Sequence, residues 1–482
     1  MKKELLLTAM ITASITTTAL AASNLDISAT TAAPLSIKNS IAYGGNNKVE
    51  NDMFSPVNNI LLGGDKNTVR SSASDSITSG RNNTTSGPGS IVSGWYNTNS
   101  ATHSLVVGTS NNVGGTNNIV GGFNHANNDN AINALLVGTH NSIDGHDSVA
   151  LGKNNTIKGN NSLVGGTGAK VQGNNAIAFG DTAKATSDDA YAIGRKAEAT
   201  ALNTVAIGNN AKANNVMGTA IGYDAKAKND YATAVGYSST GSGNQSSAFG
   251  FNAEATAMNT TAVGSYANAS GAYSTALGFK TAASDEDSVA LGNYSTSAGK
   301  SAFAAGTLAK AAEKDSLAIG HSATTTKENG IAIGTNAKAT TDNSIALGAK
   351  SVTDTAISTS SGVIGGRTYS FAGGNAVGTL SIGDSGAERT ITNVAAGRVS
   401  ATSTDAVNGS QLHAIKDVVD NHENRITTIE GDINTLNNRI INGGANSLNE
   451  AKAYTDQQVS SVAAASAALA GLHPLDFDKH DK

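Results

Sequence analysis

Apolar and polar positions in the middle of this chain follow a period much longer than a helical turn. In Thr204-Val205-Ala206-Ile207-Gly208-Asn209-Asn210-Ala211-Lys212-Ala213 an apolar triplet ends on glycine, and two alanines follow three and five residues later. The motif returns every 14 residues, with glycine at 152, 166, 180, 194, 208, 222, 236, 250, 264, 278, 292, 306, 320, 334 and 348. The residue before the glycine is usually large and apolar, as in Ile193, Ile207, Ile221, Val235, Phe249 and Leu277. The residue before that is Ala in every coil from Ala178 to Ala346. A fixed short period sustained this long marks a solenoid. Alternation on both sides of the glycine predicts two short strands per coil with the glycine at the bend. A sharp bend there needs positive φ or close backbone approach.

Such a coil is thin, and its interior admits little beyond alanine-sized groups. Steps such as Val205-Ala206-Ile207 are nevertheless apolar on both faces, and a strand of that kind is normally covered on both. One face can point into the roll, but a single chain offers no cover for the other, so the pattern predicts several chains packed roll against roll. A helical reading fails because a glycine and β-branched residues recur in every coil.

Upstream, the rhythm is looser. Gly80, Gly94, Gly108 and Gly122 keep the spacing, and Gly138 follows after 16 residues, a two-residue insertion near Asn127–Asn130. Pairs such as Asn46-Asn47, Asn82-Asn83, Asn111-Asn112 and Asn154-Asn155 suit tight turns with positive φ. His103, His125, His140 and His146 lie here without the tight spacing of metal ligands, and are expected on the surface in turns. Trp95-Tyr96 is either an exposed contact or a packed coil position. Roughly twenty-two coils at about 4.8 Å each would make a rod on the order of 100 Å long.

Downstream, the period changes. Arg367–Gly374 and Thr379–Gly383 look like short strands of a connector. From Leu412, apolar residues fall at Leu412, Ile415, Val419, Ile426, Ile429, Ile433, Leu436 and Ile440, a heptad pattern broken at His422. Ile at both core positions favours three or four strands over two. In Arg425-Ile426-Thr427-Thr428-Ile429-Glu430 an Arg precedes one core residue and a Glu follows the next. The run resembles a known trimer-specifying pattern, in which Arg425 and Glu430 pair between neighbouring chains around Ile426 and Ile429. His422 is expected as a polar core residue that sets register.

Composition narrows the function. The 482 residues carry a formal net charge of −5, which argues against a nucleic-acid partner. Aromatics at 4% suit thin repetitive β structure better than an ordinary globular core. Cysteine is absent, so there is no disulfide framework and no thiolate chemistry. Lys2-Lys3, the apolar run Leu5–Leu20 and Ala19-Leu20-Ala21 read as a cleaved signal peptide. Acidic residues are scattered, as at Asp181, Asp188-Asp189 and Asp285-Glu286-Asp287, where a β-solenoid carbohydrate-active enzyme would cluster them in one groove. A structural surface-layer or ion-binding rod is the other alternative, but the Gly-Gly-x-Gly-x-Asp calcium repeat is absent. No catalytic residue, cofactor or metal site is predicted.

The order of these pieces resembles the YadA-like trimeric autotransporter adhesins. The 204–213 repeat is similar to the family's head repeat. Asn393-Val394-Ala395-Ala396-Gly397 with Asp405-Ala406-Val407-Asn408-Gly409-Ser410-Gln411-Leu412 resembles its neck. Ala464–Asp478 is similar to the helix that leads into its membrane anchor. The resemblance implies a mainly β fold: a left-handed parallel β-roll trimer of 14-residue coils, then a neck and a trimeric parallel coiled coil. The divisions expected are a signal peptide (1–21), a flexible lead-in (22–40), a β-roll head (41–366, with irregular coils 41–150 and regular coils 151–351), a connector and neck (367–411), a coiled-coil stalk (412–442) and an Ala-rich helix (443–482). It further implies a homotrimeric, non-enzymatic cell-surface adhesin that binds host matrix, cell-surface receptors or sister molecules. Its outer-membrane barrel strands do not follow Phe477, so the anchor is expected outside this chain.

Overall fold

In the computed structural model of the chain, residues 25–29, 45–51, 60–70, 72–364, 366–443 and 446–470 are described. The expected signal peptide, most of the expected lead-in, residues 41–44 at the start of the irregular coils and the end of the chain beyond Ala470 lie outside those residues. The chain forms two units, Met1–Ala323 and Thr324–Lys482.

The first unit is a roll of parallel ladders. Each coil lays down one longer strand and one two-residue strand, and each pairs with its counterpart a coil later. Val205–Ile207 pairs with Thr219–Ile221, Ala206 opposite Ala220, and Lys212–Ala213 pairs with Lys226–Ala227. In the irregular coils the longer strand has five residues, as in Ile91–Trp95 beside Leu105–Thr109. The insertion is absorbed without loss of register. Val113 pairs with Asn127 and Asn127 with Ile143, so the extra residues fall in the turn between Asn127 and Ile132.

The interior is as thin as expected. Ala206, Ala211 and Ala213 are fully buried, as are their equivalents in the neighbouring coils. Larger interior side chains occur in the irregular coils, where Val106, Leu136, Ile143 and Ile157 are fully buried. The repeating glycine is required by both of the reasons anticipated. Gly208 has φ +133°, and a Cβ there would stand 2.3 Å from the carbonyl oxygen of Gly222 in the next coil. Most coils also hold two non-glycine residues at positive φ, such as Asn203 (57°) and Asn210 (61°), one at each turn. Asparagine tolerates that conformation because its short amide bonds locally.

The second unit opens with the same coil, Ile331–Ile333 pairing with Ile345–Leu347. An antiparallel hairpin follows, Ser361–Ile364 with Arg367–Ser370, and the expected head–connector boundary falls in its turn. The chain then returns, and Leu380–Ser381 pairs in parallel with Ile345–Ala346, so the connector supplies a further rung. A helix spans Gly409–Gly443 and a second spans Asn446–Ala470. The first begins three residues before the expected Leu412, for a reason found in the neck.

Candidate interaction surface and neck

The two outer faces of the roll are unequal. Each triplet buries its middle residue and turns its flanks outward, so Ala206 is buried, Val205 half-buried and Ile207 exposed. Ile193, Ile207, Ile221, Phe249, Leu277 and Ile319 form an apolar row exposed in the single chain. The outer positions of the short strands are mostly polar instead, and charged in the run Lys184, Glu198, Lys212 and Lys226. Lys184 Nζ lies 2.9 Å from Glu198 Oε1, and Lys212 Nζ lies 3.2 Å from Glu198 Oε2. The two lysines, Lys184 foremost, hold the Glu198 carboxyl below its ordinary pKa despite partial burial.

The irregular coils carry a buried polar ladder that the sequence reading missed. Three residues past each glycine stands Asn67, Asn83, Asn97, Asn111, His125, Asn141 or Asn155, every one buried. Asn97 N–H and Nδ2 both donate to Asn83 Oδ1 at 3.0 Å, and Asn97 Nδ2 also donates to Gly108 O in the next coil at 2.8 Å. The pattern repeats at Asn83 and Asn111 and ends where Ala169 N–H donates to Asn155 Oδ1. This is the slot of Ala211 in the regular coils. Of the four Asn pairs read as turn residues, Asn46, Asn82 and Asn154 do hold positive φ while Asn47, Asn83 and Asn155 are interior; in Asn111-Asn112 neither residue is in a turn, Asn111 being interior and Asn112 in a strand.

His125 sits in this ladder, which corrects its expected surface position. Its Nδ1 accepts the Asn141 N–H at 3.1 Å and its Nε2 lies 3.1 Å from Gly121 O. That pattern assigns the neutral tautomer with the proton on Nε2. Burial, opposed by the backbone bonds, lowers its pKa below 6.5. The other early histidines do not join it. His140 meets Phe123 edge to face at 5.5 Å, and His146 Nδ1 lies 2.8 Å from Asp147 Oδ2. Among the described residues no three His, Cys, Asp or Glu side chains gather to hold a metal. Trp95 and Tyr96 are both exposed.

A second unforeseen feature is an aromatic ridge just past the glycines. Tyr223, Tyr237 and Phe251 stack at 4.9 and 5.1 Å with interplanar angles of 8° and 13°. Beyond them Tyr266, Phe279 and Tyr294 continue edge to face, and all six rings are exposed. In the stack the rings lie face to face, whereas in the perpendicular part the Lys280 ammonium lies over the rings of Tyr266, Phe279 and Tyr294.

The neck residues come together as a knot of polar contacts. Asn408 caps the first helix: Gln411 N–H donates to Asn408 Oδ1 and Asn408 N–H to Gln411 Oε1, both at 3.2 Å. This reciprocal pair is a capping box, and it starts the helix at Gly409. Gln411 also binds Gly397 on both sides, accepting its N–H at 3.0 Å and donating to its O at 2.6 Å. Asn408 Nδ2 donates to Val394 O at 3.1 Å. Gly397 is needed there, since a Cβ would stand 2.1 Å from Ala406 O. Arg398 binds Asp405 through Nε and Nη2 at 2.7 and 3.1 Å and holds its carboxyl below the ordinary pKa. Asn393 takes positive φ (63°), and Val407 and Leu412 are half-buried, while Ala395 and Ala406 are exposed and Ala396 is exposed as well. One residue outside the expected set matters here. The Arg389 guanidinium reaches Ser351 Oγ at 3.1 Å and the carbonyls of Ala349 and Ile382, tying the last coil to the returning strand.

Along the first helix Ile429 is buried, and Leu412, Ile415, Val419, His422, Ile426, Ile433 and Leu436 are half-buried. In the single chain the second helix packs against the first, with Val462 buried. Arg425 Nη2 donates to Gln458 and Ser461 of this second helix at 3.3 and 3.4 Å, while Glu430 is exposed.

These features define a solenoid head joined through a capped neck to a helical stalk, and comparison with known proteins gives the class a name. The YadA head domain repeat matches seven consecutive segments between residues 158 and 351, and the coiled stalk of trimeric autotransporter adhesins matches residues 390–435. Autotransporter adhesin BtaE of Brucella suis biovar 1 (strain 1330) is 56% identical over 71 residues, 15% of this chain and 10% of that protein. The chain thus spans about a tenth of the length of that relative. Among solved structures, the C-terminal YadA-like domain of BPSL2063 from Burkholderia pseudomallei is 42% identical, covering 26% of this chain and 57% of that one, with a TM-score of 0.21. The collagen-binding domain of the Yersinia adhesin YadA is 25% identical, covering 45% of this chain and 98% of that one, with a TM-score of 0.22. Residues 158–351 and 390–435 are thus similar to the head and stalk of the YadA-like trimeric autotransporter adhesins.

Proposed function

We propose that this chain is the head and stalk of a homotrimeric, non-enzymatic adhesin displayed at the outer surface of the cell and exported by a signal peptide at 1–21. The exposed apolar row from Ile193 to Ile319 carries the reading, because it needs cover that one chain cannot supply. Three rolls packed row to row would bury it at roughly 25 cal/mol per Å² of apolar surface, and would leave the charged face outward. In such a trimer the stalk helices would exchange the present intrachain contact for neighbouring chains, with Arg425 and Glu430 pairing between them and His422 setting register. The head would then present three copies of each surface feature, so weak contacts to a matrix protein, a cell-surface receptor or a sister molecule would add through multivalency. The name of the Yersinia domain makes collagen the first ligand to try.

Two measurements test this. Light scattering on the full chain is expected to give three copies, and a monomer would overturn the trimer. Surface-immobilised protein is expected to capture at least one matrix protein, cell type or sister molecule. Failure with all of them would remove the adhesive role.

A further inference from the structure

Tyr266, Lys280 and Tyr294 occupy one slot, two residues past the glycine, in three successive coils. All three hold positive φ, at 58°, 51° and 55°. Phe279, beside Lys280 in sequence, meets Tyr266 and Tyr294 edge to face at 6.3 and 5.4 Å. The Lys280 ammonium lies 5.7 Å from the Tyr266 centroid, 5.3 Å from Phe279 and 5.4 Å from Tyr294. A cation therefore stands in a cage of three rings. The equivalent slots in other coils hold Asn210, Asp224, Ser238, Asn252 and Leu308, so ring, cation and ring follow one another only in this run.

A primary ammonium is a poor permanent occupant of such a cage. It is strongly hydrated, and its flexible stem lets it leave. A quaternary ammonium has no N–H to leave unsatisfied and gains most from ring faces. The spacing suits it: two coil layers separate the tyrosines by about 9.6 Å, which puts a cation midway at about 4.8 Å from each, inside the roughly 6 Å limit for a cation–π contact. Once displaced, Lys280 would stand beside the cage as a point charge for an anion.

We propose that Tyr266, Phe279 and Tyr294 form a binding site for a phosphocholine group, with the quaternary ammonium in the cage and the phosphate on the displaced Lys280. The site lies on one chain's own surface and does not rest on the trimer or on the adhesive reading. Failure of either leaves it testable.

The experiment is calorimetric titration of the full chain with phosphocholine, choline and inorganic phosphate. Phosphocholine is expected to bind saturably, choline more weakly, and phosphate alone not at all. Tyr266→Asn and Tyr294→Asn should each weaken phosphocholine by roughly tenfold or more, the loss of one ring face. Asparagine is chosen because Asn210 and Asn252 hold the same slot at φ 61° and 50°, so the coil is kept. Lys280→Asn should tighten choline by removing its competitor and erase the advantage of phosphocholine over choline. The proposal is overturned by an absence of saturable phosphocholine binding, by tyrosine variants that melt and bind like the parent, or by a trimethyl-lysine peptide that outcompetes phosphocholine. Two arms separate the sources of the ligand. Capture of phosphatidylcholine vesicles but not phosphatidylglycerol vesicles would place it on lipid, and soluble binding without vesicle capture would place it on non-lipid carriers.

Discussion

At a single slot, three residues past the glycine, the chain makes two different choices. From Ala169 onward it is mostly alanine, which fills a dry interior without a polar atom. From Asn67 to Asn155 it is an amide in every coil but that of His125, and the amide accepts from the next coil's backbone and side chain and donates onward. Buried amides are tolerated only when fully bonded, and a repeat satisfies that need coil after coil. His125 keeps the ladder intact only while neutral, because a proton on Nδ1 would oppose the Asn141 N–H. The sign follows from its lowered pKa. Burial, aided by the charge of nearby His140, favours the neutral ring in the folded state. Its contribution is therefore complete above the ordinary histidine value of 6.5 and is lost as the pH falls below it. His125→Asn restores the prevailing ladder residue. Denaturation midpoints of parent and variant are expected to lie close together at pH 7.5 and to diverge at pH 5.5, with the variant the more stable. Parallel behaviour at both values would remove His125 as the titrating group.

At the scale of elements, the neck shows how a roll is handed over to a helix. The first helix needs acceptors for its opening N–H groups, and Asn408 and Gln411 supply a reciprocal pair. Gln411 uses its remaining capacity to fix the loop at Gly397, so one side chain clamps helix start and loop together. Gln411→Leu keeps the bulk and removes the amide. It is expected to cost about 1–3 kcal/mol and to speed hydrogen exchange at the Gly397 and Asn408 amides; unchanged protection there would show that the clamp is dispensable. The coil, the glycine bend, the inward alanines and the first helix were all legible in the sequence, because each rests on a period. The neck residues were legible only as a resemblance, since their contacts run between loops. Arg389 was not legible at all: it stands alone in Glu388-Arg389-Thr390, and its partners are carbonyls 40 and 7 residues away. The amide ladder was hidden because Asn82-Asn83 carries turn chemistry in its first residue and interior chemistry in its second. The signal that separates them is phase, since Asn83 shares the slot of Ala211. The tyrosine cage was hidden for the opposite reason, because the positions just past the glycine vary from coil to coil and only stacking brings Tyr266, Lys280 and Tyr294 together.

At the scale of the whole molecule, the question is how a chain with so little interior stays folded. Its alanine-lined coils bury little area each, and stability in such arrays comes from interfaces as much as from repeats. A homotrimer places three copies of every residue at one height, so the outer row decides whether the chains meet. Ile207 and Ile221 lie on consecutive rungs of that row, and Lys212 and Lys226 lie on the charged ladder of the same coils. Ile207→Lys with Ile221→Lys would bring six ammonium groups to the joint of three rolls, where desolvation leaves them unpaired. The double variant is expected to sediment as a smaller species than the parent, or to melt at a clearly lower temperature if the stalk still holds three chains. Lys212→Ala with Lys226→Ala changes charge in the same two coils but on the other face, and is expected to leave both mass and melting nearly unchanged. If the lysine pair added to the apolar row were tolerated as well as the alanine pair on the charged face, the row would not be the joint, and the three rolls would have to meet through another surface.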